Sequence, residues 1–364
     1  MKSLQYFATI LLFFLAANLS NAQTSIYNEE IPEVRLVWTR IADFSPKLRA
    51  VESAEFSHDG MLAVSGSKFG YKVMLWNVPD GSLVWTRAHE SEVECVTFSP
   101  DDKQIATGGE DYCARIWDTA TGDEIASWEH PSGLDGITWS NDGKIIASGS
   151  EEGEAFFWDA DTYKLLWKIK VVSTINSLDF TSDDKRIVVG GNIQTPEPES
   201  GDNIYTGFIR LIDMQSKAVT RSYGEHAASV KSVRISMDEK YIASGGFANE
   251  AKLFELETGR EIMTFPDPMR IEAVDFTNDG NYLVTGGHNK MLSFYRLSDL
   301  KLALEVPCPR IEYIDFTSDG RLMLTSHEDS GLISVYMMLS NTQHKHDLYQ
   351  KISNEQLNNR DLKE

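Results

Sequence analysis

Cysteine is almost missing from this chain. Three thiols in 364 residues, Cys95, Cys113 and Cys308, allow one disulfide at most and no paired-cysteine metal or redox motif. Bases are short relative to acids, 34 Lys+Arg against 55 Asp+Glu, for a formal charge of −21. A surface so negative repels phosphate backbones and anionic lipid, which argues against nucleic acid or charged membrane as a partner. Much of the acid sits in turns, as at Asp59, Asp101, Asp142 and Asp183, where it favours turn geometry and solubility. Signatures of catalysis are absent: there is no Gly-x-Ser-x-Gly elbow, no His-Glu-x-x-His and no phosphate-cradling glycine loop. No enzyme activity, cofactor or metal is expected, and no catalytic residue is assigned.

Long apolar runs are lacking too, with one exception at the start. Lys2, the run Phe7–Ala17 and the small-x-small sequence Ser20-Asn21-Ala22 read as the three parts of a secretory signal peptide. The run is too short for a membrane-spanning helix, and polar residues follow it at once. Residues 1–22 are therefore expected to be removed on export, leaving a periplasmic or extracellular protein with no stable membrane insertion. No Cys follows the site for lipid attachment. No Asn-x-Ser/Thr sequon occurs after Ala22, which fits a secreted bacterial-type protein.

What the chain does have is repetition. Seven times an apolar strand runs into a Ser/Thr-Asp-Gly-type turn, a second strand, a Gly-rich stretch and a third strand ending near an aromatic. Copies include VECVTFSPDDKQIATGG, LDGITWSNDGKIIASGS and IEAVDFTNDGNYLVTGG. Anchored at Phe56, Phe98, Trp139, Phe180, Ile235, Phe276 and Phe316, they are spaced by 42, 41, 41, 55, 41 and 40 residues. A period near forty in four-strand units predicts an all-β fold, a seven-bladed β-propeller of antiparallel blades. No such unit can bury its faces without neighbours. The glycines are read as tight turns between second and third strands. Cys95 and Cys113 fall on the first and third strands of one copy, about 9.6 Å apart and beyond disulfide reach.

Trp76-Asn77, Trp117-Asp118 and Trp158-Asp159 stand near the ends of third strands. With the period, they give the chain its resemblance to the WD-repeat β-propeller family over roughly residues 34–338. The second copy carries the family's full tetrad, His89, Thr107, Asp111 and Trp117; the third repeats it as His130, Ser148, Glu152 and Trp158. The resemblance implies a buried relay of indole, hydroxyl, imidazole and carboxylate, in which a lost partner costs about 1–3 kcal/mol. Recurrence at the repeat period marks these sets as structural and not as catalytic triads. The fifth copy keeps His226 and Ser244 but has Ala248 and Phe254 in the remaining places, and the other copies lack the His.

The seventh copy has no convincing fourth strand. Leu36-Val37-Trp38-Thr39-Arg40 repeats Leu83-Val84-Trp85-Thr86-Arg87, a fourth strand, so the N-terminal segment is expected to complete the last blade. The expected divisions are a lead at 23–33, a monomeric propeller at 34–340 and a polar tail at 341–364.

Function is expected on the face that gathers the loops between strands d and a and between strands b and c. The long spacing places 14 extra residues at Ile193–Thr206, read as a loop and not an extra strand. It is either a binding element or an idle solvated loop. Its candidate contacts are Glu197, Glu199, Asp202 and Tyr205; Phe247, Asn249, His288, His327 and Glu328 are assigned to the same rim. The resulting reading is a non-catalytic scaffold whose partner is a protein with a basic patch. The alternative is an extracytoplasmic propeller enzyme, or a small-ligand or metal sensor, with its site in the central funnel. His288 and His327, on adjacent blades, are the pair such a sensor would use.

Overall fold

The computed structural model describes residues 32–339, apart from 46–47, 172 and 197–202. The expected signal peptide, most of the lead, the tail at 341–364 and three candidate contacts (Glu197, Glu199 and Asp202) lie outside the described residues.

Each a–b turn is built by the same side-chain pair. Ser57 Oγ donates to Asp59 Oδ1 at 2.7 Å and accepts the Leu62 N–H at 2.9 Å. Ser99/Asp101, Ser140/Asp142, Thr181/Asp183, Ser236/Asp238, Thr277/Asp279 and Thr317/Asp319 repeat the first bond at 2.6–2.9 Å. A hydroxyl and a carboxylate two residues apart close the turn locally, which is why the motif recurs. Turns also clasp one another. Asp102 accepts the N–H groups of His58 and Asp59 from the preceding blade, and Asp184 does the same for Asn141 and Asp142.

These hairpins stack as seven four-stranded antiparallel sheets. Apolar residues on facing blades form the core, as where Val64, Val73 and Leu75 of blade 1 meet Val93, Val96 and Phe98 of blade 2. The glycines of strand b make this approach possible, so their role differs from the turn role expected above. The glycine at the fifth position of strand b in blades 1 to 6 is a notch for the next blade. A Cβ on Gly149 would lie 2.4 Å from Ile175 Cγ2, on Gly66 2.7 Å from Val93 Cγ1, and on Gly286 2.9 Å from Ile311 Cβ. Where a second glycine follows, as in blade 2, it sits against the inward bulge of strand a: a Cβ on Gly109 would lie 1.9 Å from the Glu92 carbonyl oxygen, beside the register shift between Val93 and Cys95.

The ring is closed by the N-terminal strand. Glu33–Ile41 pairs antiparallel with Leu332–Leu339, with Leu36 opposite Tyr336 and Arg40 opposite Ile333, and forms the outer edge of blade 7. The identical pentapeptides make identical contacts with the following blade. Trp38 Nε1 donates to the Val78 carbonyl at 2.7 Å and Trp85 Nε1 to the Thr119 carbonyl at 2.8 Å. Arg40 and Arg87 then bind the carbonyls of Gly81 and Gly122.

The insertion departs from expectation. Strand b of blade 4 runs Arg186–Pro196 and strand c Asn203–Asp213, eleven residues each, paired without a break from Arg186↔Asp213 to Pro196↔Asn203. It is an extended hairpin, not an irregular loop. Pairing satisfies backbone groups that a free loop leaves to water, and Ile193, Thr195, Ile204 and Thr206 suit a strand.

Gly149→Ala should destabilise the domain by about 1–3 kcal/mol through overpacking against Ile175. Denaturant midpoints test this. The double variant with Ile175→Ala should lose less than the sum of the single changes, and an unchanged Gly149→Ala midpoint contradicts the notch.

Candidate functional site: the channel and its upper face

Blade 2 assembles its four polar groups within bonding distance. Trp117 Nε1 donates to Thr107 Oγ1 at 2.9 Å, Thr107 Oγ1 lies 2.8 Å from His89 Nε2, and His89 Nδ1 is 3.1 Å from Asp111 Oδ2. Arg115 Nη1 reaches Asp111 Oδ2 at 2.6 Å. Burial alone would raise the Asp111 carboxyl, but bonds and charge from His89, the Glu90 N–H and Arg115 hold it well below the usual range. Burial lowers the His89 pKa against the pull of Asp111. Every polar group of this imidazole is engaged in holding the blade together, so none is left for chemistry.

Blade 3 does not repeat the relay. Trp158 Nε1 donates to Ser148 Oγ at 3.0 Å, but His130 accepts a bond from Trp128 Nε1 at 3.2 Å instead. The imidazole packs edge-on against Phe156 and Trp158, and Glu152 is exposed. The indole of Trp128, on strand d of blade 2, takes the ring that the expected relay gives to the Ser148 hydroxyl. Blade 5 keeps a bond of 2.8 Å between His226 Nε2 and Ser244 Oγ, with Glu250 Oε1 3.5 Å from Nδ1 in place of the missing turn acid.

His327 is also corrected. It is fully buried at the end of strand b of blade 7 (Leu322–His327), not at the rim. Its Nε2 lies 3.1 Å from both Thr325 Oγ1 and Ser334 Oγ, and its Nδ1 is 3.2 Å from the Arg310 carbonyl. Other candidates do reach the upper face. Tyr205, beside Ile204, is 46% exposed on the blade 4 hairpin. Asn249 is exposed, and Phe247 is half-buried under the Arg270 guanidinium, 4.3 Å from the ring centroid. His288 Nε2 lies 3.1 Å from Glu328 Oε2, and Glu328 also meets Arg310 at 3.4 Å.

Sequence reasoning missed the channel. One residue near the start of every strand a, namely Glu52, Glu94, Asp135, Asn176, Lys231, Glu272 and Glu312, lines a central cavity of about 70 Å³. Three residues further on stand Glu55, Thr97, Thr138, Asp179, Arg234, Asp275 and Asp315. The signal was available: reading the second and fifth positions down the copies gives mostly acids and one base each.

The deeper acids stitch blades together. Glu55 accepts the Phe98 N–H, Asp179 the Ile235 N–H and Asp315 the Phe56 N–H, at 2.7–2.8 Å. Arg234 donates to the Tyr313 hydroxyl across the channel. Burial pushes Asp275 up to about 8 and Asp179 to about 6, against the charge of Arg234. Glu94 and Glu312 are raised by burial and then by Glu52. Burial opposes the charge on Lys231 and Arg234, but the surrounding acids for Lys231, and Tyr313 with Asp275, Asp179 and Asp315 for Arg234, more than offset it.

With this geometry in view, the likeness to known proteins is specific for the repeat and short in extent. A family model for the WD domain, G-beta repeat, matches residues 81–118, 122–159, 217–255 and 259–296. The chain thus carries WD40 repeats within a seven-bladed propeller. It is similar to the serine-threonine kinase receptor-associated protein of Homo sapiens, 34% identical over 73 residues, 20% of this chain and 21% of that protein. It is 37% identical over 90 residues to the probable cytosolic iron-sulfur protein assembly protein CIAO1 homolog of Caenorhabditis elegans, 24% of this chain and 26% of the relative. A coronin-like protein of Saccharomyces cerevisiae is 32% identical over 69 residues, covering 19% and 11%. The match to the kinase receptor-associated proteins spans about a fifth of their length.

The channel acids set a pH dependence. A carboxyl whose folded pKa is raised stabilises the fold below its unfolded value, near 4, and that contribution is lost as pH rises through the folded value. Buried His130, His226 and His327, lowered by burial to about 4, act oppositely, but only below the ordinary histidine value of about 6.5. Between pH 6.5 and 8 the carboxyls act alone, so the melting temperature should fall with rising pH across that window. Asp275→Asn should flatten the slope in thermal melts; an equal slope in the variant contradicts the assignment.

Proposed function

We propose that this protein is a non-catalytic scaffold that binds a protein partner through the face carrying its b–c and d–a loops. WD40 propellers typically mediate protein interactions, and the repeats are present. One observation carries the choice of surface: the blade 4 hairpin is longer than any other b–c connection and holds Ile204 and Tyr205 outward, each 46% exposed. An aromatic on a paired, stiff arm has little freedom to lose on binding, which suits an anchor. The acids at the channel mouth favour a basic partner by steering its approach. Glu197, Glu199 and Asp202 add acids in the sequence between the hairpin's two strands.

The proposal includes export as a monomer. The signal-type sequence at residues 1–22 supports a periplasmic or extracellular location. The intact mass of protein from its native host should begin at Gln23, and a retained Met1 rules the reading out.

Replacing Gln194–Tyr205 by a short Gly-Ser link should leave the melting temperature nearly unchanged, because the rest of blade 4 keeps four strands. Crosslinking and capture from an envelope extract should show a partner held by the full chain, weakened by salt and lost from the shortened one. Equal capture by both chains removes the hairpin from the interface.

A further inference from the structure

One cluster at the channel mouth is explained neither by the repeat fold nor by the docking surface. Glu272 on strand a of blade 6, His288 just beyond strand b of blade 6 and Glu312 on strand a of blade 7 each offer one ligand atom, all within 4.8 Å of one another. His288 Nε2 lies 3.2 Å from Glu272 Oε1. Glu272 is the most enclosed member, 5% exposed, and it lines the channel cavity. Its other oxygen, Oε2, has no hydrogen-bond partner among the described residues. A carboxylate so enclosed, with an oxygen unpaired, is costly; buried charges of this kind are paired or coordinate a metal.

The distribution of cations sharpens the point. Lys68 lies 3.0, 3.5 and 3.8 Å from Glu52, Glu92 and Glu94 and balances that group, while Lys231, which lines the cavity, bears on Glu272 and Glu312 through its charge. Arg310 reaches Glu328 at 3.4 Å and so serves the outer acid. Between these sits the Glu272–Glu312 pair, with a nitrogen ligand beside it. About one-eighth of the His288 side chain is open, 13% by area, which leaves an entry path from solvent.

We propose that Glu272, His288 and Glu312 bind one divalent first-row transition-metal ion, with Zn2+ the best match. Imidazole and carboxylate together suit Zn2+, which takes nitrogen and oxygen ligands at short distance, and three protein ligands leave one position open. Ca2+ needs six to eight oxygens, which the cluster lacks. The ion adds to the charge of Lys231 in neutralising Glu272 and Glu312 and ties blade 6 to blade 7. The site stands independently of the scaffold reading. It also departs from the expectation of no metal, and it uses His288 without His327.

The test uses the full chain, stripped with chelator and dialysed, and titrated calorimetrically with Zn2+ and, separately, with Ca2+. One Zn2+ per chain should bind, and Ca2+ should not compete. Loss of an outer-shell partner alone weakens metal sites roughly 10–100-fold. His288→Asn and Glu312→Gln should therefore each weaken Zn2+ by roughly tenfold or more. The double variant His344→Ala/His346→Ala, in the tail, should bind like the parent. Absence of a stoichiometric site, or loss in the tail variant with retention in His288→Asn, overturns the proposal. A readout on the unaltered chain guards against misfolded variants: Zn2+ should protect His288, but not exposed His58, from diethylpyrocarbonate, as read by peptide mass. A His288 that reacts equally with and without Zn2+ also overturns it.

Discussion

The packing of one blade's first strand into a bare backbone on its neighbour's second strand holds this ring together. Val93, Leu134, Ile175, Val230, Ile271 and Ile311 each press on a glycine of the preceding blade. Across the last joint Val51 meets blade 7, where Ser326 stands at the corresponding place. Close contact at these points brings whole faces within dispersion range, and dispersion falls off steeply with even a small gap. A methyl group at one of the six glycine notches would press on the side chain that faces it and loosen that joint.

The repeat matched in sequence is not the blade. Residues 81–118 contain the outer strand Leu83–Ala88 of blade 1 and the three inner strands of blade 2, Val93–Phe98, Gln104–Gly109 and Cys113–Asp118. Each sequence unit therefore straddles a joint, and covalent continuity reinforces the contact that packing makes. The Trp85 and Arg87 bonds run from this unit to the Thr119 and Gly122 carbonyls just past its end. The N-terminal strand copies them at the one joint where the chain does not run on.

The fold was legible because spacing and turn chemistry repeat: a hydroxyl and an acid two residues apart need only local geometry, which sequence displays directly. Closure by Leu36–Arg40 was legible for the same reason, since an identical pentapeptide makes identical bonds. Positions decided by competition between neighbours were not. His130 had the right spacing for the relay, but Trp128 offered a nearer donor. His327 looked like a rim residue until Thr325 and Ser334 supplied a polar niche inside blade 7. The blade 4 insertion carried prolines and acids that speak for a loop, yet strand pairing on both sides carried the ladder outward. The channel was hidden by its own regularity, because one residue per copy at a forty-residue interval leaves no local pattern.

The closing strand has a consequence in time. Leu36 leaves the ribosome early and its partner Tyr336 emerges 300 residues later. Six blades can assemble in order during synthesis, each resting on the one before, while the strand that completes the seventh waits with its pairing edge open. Bringing such distant segments together is the slow, entropically costly step of a topology like this. An unpaired edge is also the feature most prone to wrong partners while it waits. The nascent chain is thus most vulnerable while Leu332–Leu339 is still to emerge, and the pairing that ends that exposure joins the first and last strands of the described residues.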